Sequence, residues 1–140
     1  MRKLLLIIFL PLMLQGCLLV PFVESASQAG VTKGDRQALL SQSLKKFQEA
    51  LFWGDTGKAL VFANFEEKKN LKDYIEKIVK NKKVAEAKII STDLDEAVQN
   101  ASVTVRWKTY DLSTLVIKES EQTQNWSFYF GDGWKITGMK

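Results

Sequence analysis

The chain has 140 residues, 46% hydrophobic and 26% charged, with one Cys and no His. That describes a single folded domain, excludes an internal disulfide framework or multi-cysteine metal site, and removes the commonest general base and metal ligand. The formal charge is +4, but 20 basic residues less Arg2 and Lys3 of the N-terminal segment leave 18 against 16 acidic ones, a net of +2 too weak to mark a nucleic-acid binder.

Met1-Arg2-Lys3 is a short basic region, Leu4 to Leu14 is an apolar run broken by Pro11, and Leu14-Gln15-Gly16-Cys17 follows. A basic start, an apolar run and a small residue before a cut describe a secretory signal. The tetrad resembles the lipobox of bacterial lipoproteins, with Gln15 where that family usually carries a small or apolar residue. The resemblance implies removal of residues 1–16 and attachment of fatty acid (palmitate or a similar chain) to Cys17. It implies a place in the cell envelope, lipid-anchored in the membrane. Leu18 and Leu19 after the Cys, rather than an Asp, imply the outer membrane facing the periplasm. The residues alone leave an uncleaved anchor open, because Leu4 to Val23 is uncharged and long enough to span a bilayer. Residues 17–34, with Pro21, Ser25, Ser27, Gly30 and Gly34, read as a tether.

Residues 35–140 read as one α+β domain. Asp35 is the expected N-cap of a helix whose apolar positions are Leu40, Leu44, Phe47 and Leu51, and Gly54-Asp55 should end it. Thr56 is the expected cap of a short helix through Ala59, Leu60, Phe62 and Ala63. The spacing of Leu71, Ile75, Ile78 and Val79 predicts a third helix over Lys68 to Asn81. Beyond Lys83 the period becomes two. Val84 to Thr92 is a predicted strand, Thr92-Asp93-Leu94-Asp95 a connection, and Val103, Val105 and Trp107 mark a half-buried strand. Leu115 to Phe130 is a predicted long strand, bent or bulged near Glu119 to Asn125. Gly131-Asp132-Gly133 is the expected hairpin turn before a last strand through Trp134, Ile136 and Gly138.

Two helices hinged at "ALFWGDTGKALVF", a third helix, then strands closing on "FGDGWKITG" resemble the NTF2-like (cystatin-like cone) domain. The resemblance implies N-terminal helices packed on a curved antiparallel β-sheet, with room for a cavity between them. Its members span isomerases, dehydratases, assembly domains and non-catalytic envelope lipoproteins, so fold alone does not set the function.

Catalytic members of that superfamily carry a base, a Tyr, a His or a second acid in the cone. Here His is absent, Tyr110-Asp111 falls at a predicted strand end, and Asp73-Tyr74 lies on a helix with Asp73 on the charged face, so no catalytic residue is assigned. Asp93-Leu94-Asp95-Glu96 lacks the further oxygens and the Gly of a calcium loop, and no metal or cofactor is expected. The lysines around the third helix (Lys68, Lys69, Lys72, Lys77, Lys80, Lys82 and Lys83) alternate with acids and read as a solvated face, with contact to anionic lipid headgroups or an acidic partner as the alternative. The candidate pocket or partner surface is aromatic: Trp53, Trp107, Trp126 and Trp134, with Trp53 beside Gly54 foremost. The expectation is an anchored, non-catalytic protein-binding or assembly module whose partner is an envelope protein. A carrier of a small apolar ligand in the cone, or an isomerase- or hydratase-type enzyme, are the alternatives. A cone filled by its own aromatics favours the first.

Overall fold

The computed structural model describes residues 25–140, apart from the side chains of 78–81. Cys17 and the predicted signal, together with the side chains of Ile78 and Val79, lie outside the described residues.

Helix α1 (Lys33–Trp53) forms on the apolar stripe Leu40, Leu44, Phe47 and Leu51, all of them buried. Its N-cap is Thr32, not Asp35. The Thr32 hydroxyl accepts the Asp35 N–H at 3.1 Å, and the Asp35 carboxylate accepts the Thr32 N–H at 3.1 Å. In such a capping box the acid sits three residues inside the helix, so Asp35 has the right chemistry at a different position. Gly54, at φ +71°, ends α1 by turning its N–H back onto the last carbonyls.

Helix α2 (Thr56–Leu60) is capped by Asp55 rather than Thr56, through the Lys58 N–H at 3.0 Å. It stops at Leu60. Phe62 and Ala63, expected within it, instead run beside the last strand, where the Ile136 N–H donates to Phe62 O at 2.6 Å and the Asn64 N–H to Ile136 O at 3.1 Å. These backbone bonds give the segment partners that a longer helix would have had to replace. Helix α3 (Lys68–Asn81) buries Leu71 and Ile75 and runs directly into the sheet.

Among the described residues four strands form one open, curved antiparallel sheet in the order β1 (Lys82–Leu94), β2 (Asn100–Asp111), β3 (Ile117–Tyr129), β4 (Gly133–Met139). β1 is longer than its apolar alternation suggests. Thr92, Asp93 and Leu94 pair with Val103, Ser102 and Ala101 rather than forming the connection, because ladder bonds tolerate polar side chains on the outer face. β3 starts later than expected, at Ile117, and pairs with β2 without interruption through Glu119 to Asn125. The irregularity lies instead on its β4 side, between Asn125 and Trp126. Phe130 falls in the turn. The charges in this stretch point outward, where Arg106 meets Glu121 at 2.7 Å and Lys108 meets Glu86 at 2.8 Å.

The helices cover one face. Trp107, Trp126 and Trp134, from β2, β3 and β4, are each at most 2% exposed. Phe47 of α1 stands edge-on to Trp126 at 5.8 Å and to Phe62 at 6.1 Å. The buried apolar residues run from Leu40 to Ile136 and form one cluster, so residues 25–140 contain the whole of the described core.

A polar chain crosses this core. The Trp126 indole N–H donates to Gln124 Oε1 at 3.2 Å, and Gln124 Nε2 donates to Gln122 Oε1 at 3.1 Å. Gln122 also hydrogen-bonds Tyr74 of α3. The Gln122 and Gln124 amides thus have partners, which removes most of their desolvation penalty.

Two measurements test this architecture. Gly131 and Gly133 sit at φ +81° and +76°, and a Cβ on Gly133 would meet nothing within 4 Å. Gly133→Val therefore strains the backbone alone and should cost about 1–3 kcal/mol in urea unfolding. An unchanged midpoint would refute the tight turn. Burial pushes the Tyr74 hydroxyl up to about 12, with the Gln122 hydrogen bond opposing it in part. Above pH 10 the unfolded chain releases this proton while the native chain keeps it, so stability falls as pH rises from about 10 to 12. Tyr74→Phe should flatten that decline by roughly 2 kcal/mol relative to wild type. Parallel curves for the two proteins would refute the burial.

Candidate functional site

Among the described residues no charged side chain is buried against the sheet. Among the described residues its buried polar members are Gln122 and Gln124, with no buried carboxylate or amine. Two further donors, Trp107 Nε1 and Gln48 Nε2, are buried without a partner. Tyr74, with its proton held so firmly, does not exchange it near neutrality.

The acids lie elsewhere and have turns to build. Asp111, at the end of β2, accepts the Ser113 hydroxyl and the N–H groups of Ser113 and Thr114, the last two at 2.8 and 3.3 Å. The Ser113 hydroxyl is the main cause of its lowered pKa. Asp95 accepts the N–H groups of Gln99 and Asn100 at 2.7 and 3.1 Å, and the Gln99 bond leads in lowering its pKa. Asp73 and Asp93 are exposed. Among the described residues no group of three or more His, Cys, Asp or Glu is arranged to hold a metal.

A concavity lies outside the cone. A cleft of about 390 Å³ lies between the last two turns of α1 and helix α2, lined by Ala50, Trp53, Val61 and Phe62 with Lys46 and Glu49 at its edge. Gly54 creates it, because the left-handed turn there folds α2 back against α1. Asp55 holds the fold-back from both ends of Lys58, accepting its backbone N–H at 3.0 Å and pairing with its amine at 3.1 Å. The backbone bond is the larger cause of the lowered Asp55 pKa. Trp53 is 74% exposed. Val61 also lines a second, more open trough, with Leu60, Phe65 and Tyr129.

Of the four tryptophans singled out from the sequence, Trp53 lines this cleft, while Trp107, Trp126 and Trp134 are in the core. Trp126 approaches the cleft through Phe62, whose ring lies 6.1 Å away and lines the cleft floor. Cys17 lies outside the described residues. The sequence reading missed Gln122 and Gln124. Their signal was the period of two shared with Trp126, which puts all three on the core face.

No protein-family model and no curated protein sequence matches the chain. Solved structures do. An NTF-2-like protein of unknown function from Shewanella oneidensis superposes with a TM-score of 0.58 at 17% identity, over 74% of this chain and 95% of that one. A ketosteroid isomerase-like protein from Erwinia carotovora atroseptica gives 0.57 at 9% identity, over 73% and 91%. A protein with a cystatin-like fold from Nostoc punctiforme gives 0.53 at 9% identity, over 74% and 86%. At these identities the likeness concerns architecture, and the chain has the NTF2-like, cystatin-like α+β fold.

Proposed function

We propose that the chain is a non-catalytic binding module of the cell envelope, anchored through acylated Cys17, that takes a protein partner in the cleft between α1 and α2. The observation that carries the reading is the filled cone. Trp107, Trp126, Trp134 and Phe47 occupy the space where a substrate or carried ligand would sit, each at most 2% exposed. The group that could trade protons there is a Tyr with a raised pKa. A binding surface is thereby shifted outward, to the cleft where Trp53 stands exposed over an apolar floor.

Trp is enriched among binding hot spots, where it is desolvated by a partner in a well-packed pocket. The occupant that fits is a segment presenting one bulky apolar side chain between polar flanks, since Lys46 and Glu49 border the apolar floor. Among the described residues no helix is long and apolar enough to cross a membrane, so in this reading attachment rests on the N-terminal segment.

Two experiments test the reading. A photoreactive residue in place of Val61, in cells, should give one adduct of discrete mass that Trp53→Ala abolishes without lowering the melting midpoint. Trp126→Ala, by contrast, should destabilise by about 3–5 kcal/mol, as loss of a large buried aromatic does. Absence of an adduct, or an apolar fluorescent dye that binds wild type and is displaced by changes at Trp126 but not Trp53, would favour the carrier. Separately, metabolic labelling with fatty acid should mark wild type and not Cys17→Ser. An unlabelled wild type would refute acylation and favour the uncleaved anchor.

A further inference from the structure

The end of the molecule where β1 begins and β2 ends carries an exposed aliphatic loop among lysines. Leu112, Leu115 and Val116 in the β2–β3 connection, and Ile117 at the start of β3, are all exposed. Leu115 is 72% exposed and sits at φ +55°, a conformation that Asn or Gly adopts far more readily. Its side chain carries both backbone strain and contact with water, and folding explains neither. The loop is nevertheless firmly built. The Leu115 N–H donates to Asp111 O at 2.8 Å, the Asp111 N–H to Val116 O at 3.3 Å, and the Asp111 carboxylate closes the turn through Ser113 and Thr114. The aliphatic side chains are therefore held outward.

Lysines stand at the root of this loop. The sheet register sets Lys82 opposite Asp111, Lys83 opposite Tyr110, and Lys118 opposite Thr109. None of the three closes an ion pair with a described carboxylate. The nearby acids are already engaged: Glu86 and Glu119 by Lys108, and Asp111 by its own turn. Exposed Phe52, from the last turn of α1, shares a small recess with Lys82 and Lys83.

We propose that this end docks on an anionic lipid bilayer, with Leu112, Leu115, Val116 and Ile117 entering the acyl boundary and Lys82, Lys83 and Lys118 meeting headgroup phosphates. An apolar tip rooted among lysines that close no ion pair, with Lys118 near enough to Asp111 to be attracted by it, matches an apolar layer under a negative surface, and both terms contribute to binding. Long lysine stems extend this match, since they lie along apolar surface while the amine stays at the headgroups. Trp53 borders both the α1–α2 cleft and the recess beside Lys82 and Lys83, but none of the aliphatic loop residues lines the cleft, and docking of this end does not depend on a protein partner there.

The test uses residues 25–140, which contain the core and lack Cys17, in sedimentation with vesicles. Binding is expected to vesicles containing phosphatidylglycerol, weakening with salt, and not to pure phosphatidylcholine. Leu115→Asn with Val116→Asn should abolish it while keeping or raising the melting midpoint, because Asn accepts the left-handed conformation. Replacing Lys82, Lys83 and Lys118 with Gln should weaken it about a hundredfold. No binding, equal binding to both vesicles, or unchanged binding by either variant would overturn the proposal. So would a dimer in solution that Leu115→Asn dissolves, which would assign the surface to a second copy of the chain.

Discussion

Phe47 is the contact on which the architecture turns. It is fully buried, and its ring meets Trp126 of β3 and Phe62 of the segment after α2, both edge-on at about 6 Å. One side chain thus joins the long helix, the fold-back that follows it and the middle of the sheet. Edge-to-face geometry constrains orientation as well as distance, so these three elements have little freedom to slide. The cone is closed by this cluster, and the fold-back that forms the outer cleft is braced by the same cluster through Phe62. Filling the interior and creating the exterior cleft are two results of one packing arrangement.

The core was legible in the sequence because burial follows simple periods. Leu40, Leu44, Phe47 and Leu51 recur as a helix requires, and Val103, Val105 and Trp107 as a strand requires. Caps were displaced by up to three residues, since Thr32 and Asp35 or Asp55 and Thr56 are chemically equivalent candidates until the backbone selects one. Phe62 and Ala63 fit a helical stripe, and only the edge of β4 gives their backbone a better set of partners. Gln122 and Gln124 were hidden for a different reason. A polar residue on a strand reads as outward, and its burial depends on Tyr74 and Trp126 arriving from other parts of the chain.

The candidate surfaces divide along the same line. Trp53 could be singled out because a Trp next to a helix-ending Gly has no stripe to join, and it is exposed. The aliphatic loop could not, because Leu115, Val116 and Ile117 look like the start of an apolar strand. Their exposure appears only once the register begins β3 at Ile117 and leaves the side chains before it beyond the helical cover. The acids follow a rule the sequence did not advertise: Asp35, Asp55, Asp95 and Asp111 each accept hydrogen bonds at a turn or helix start, led by the Thr32 and Ser113 hydroxyls at Asp35 and Asp111 and by backbone N–H groups at Asp55 and Asp95, and each pKa is lowered.

The entry of the chain into the domain has a mechanical meaning. Arg36 donates from Nε to Gly30 O at 2.9 Å and from its guanidinium to Ala97 O at 3.1 Å, and lies 5.3 Å from the ring centres of both Phe128 and Phe130. Gly30 presses so close to Phe128 that an added Cβ would come within 2.4 Å of its ring. A force pulling on residue 25 meets the Ser27–Asp35 hydrogen bond and then this clamp, which ties the chain to Phe128 of β3 and to Ala97 in the β1–β2 turn. Because Asp35 and Arg36 belong to the first turn of α1, that turn is braced against the sheet by the same contacts and does not peel independently of it.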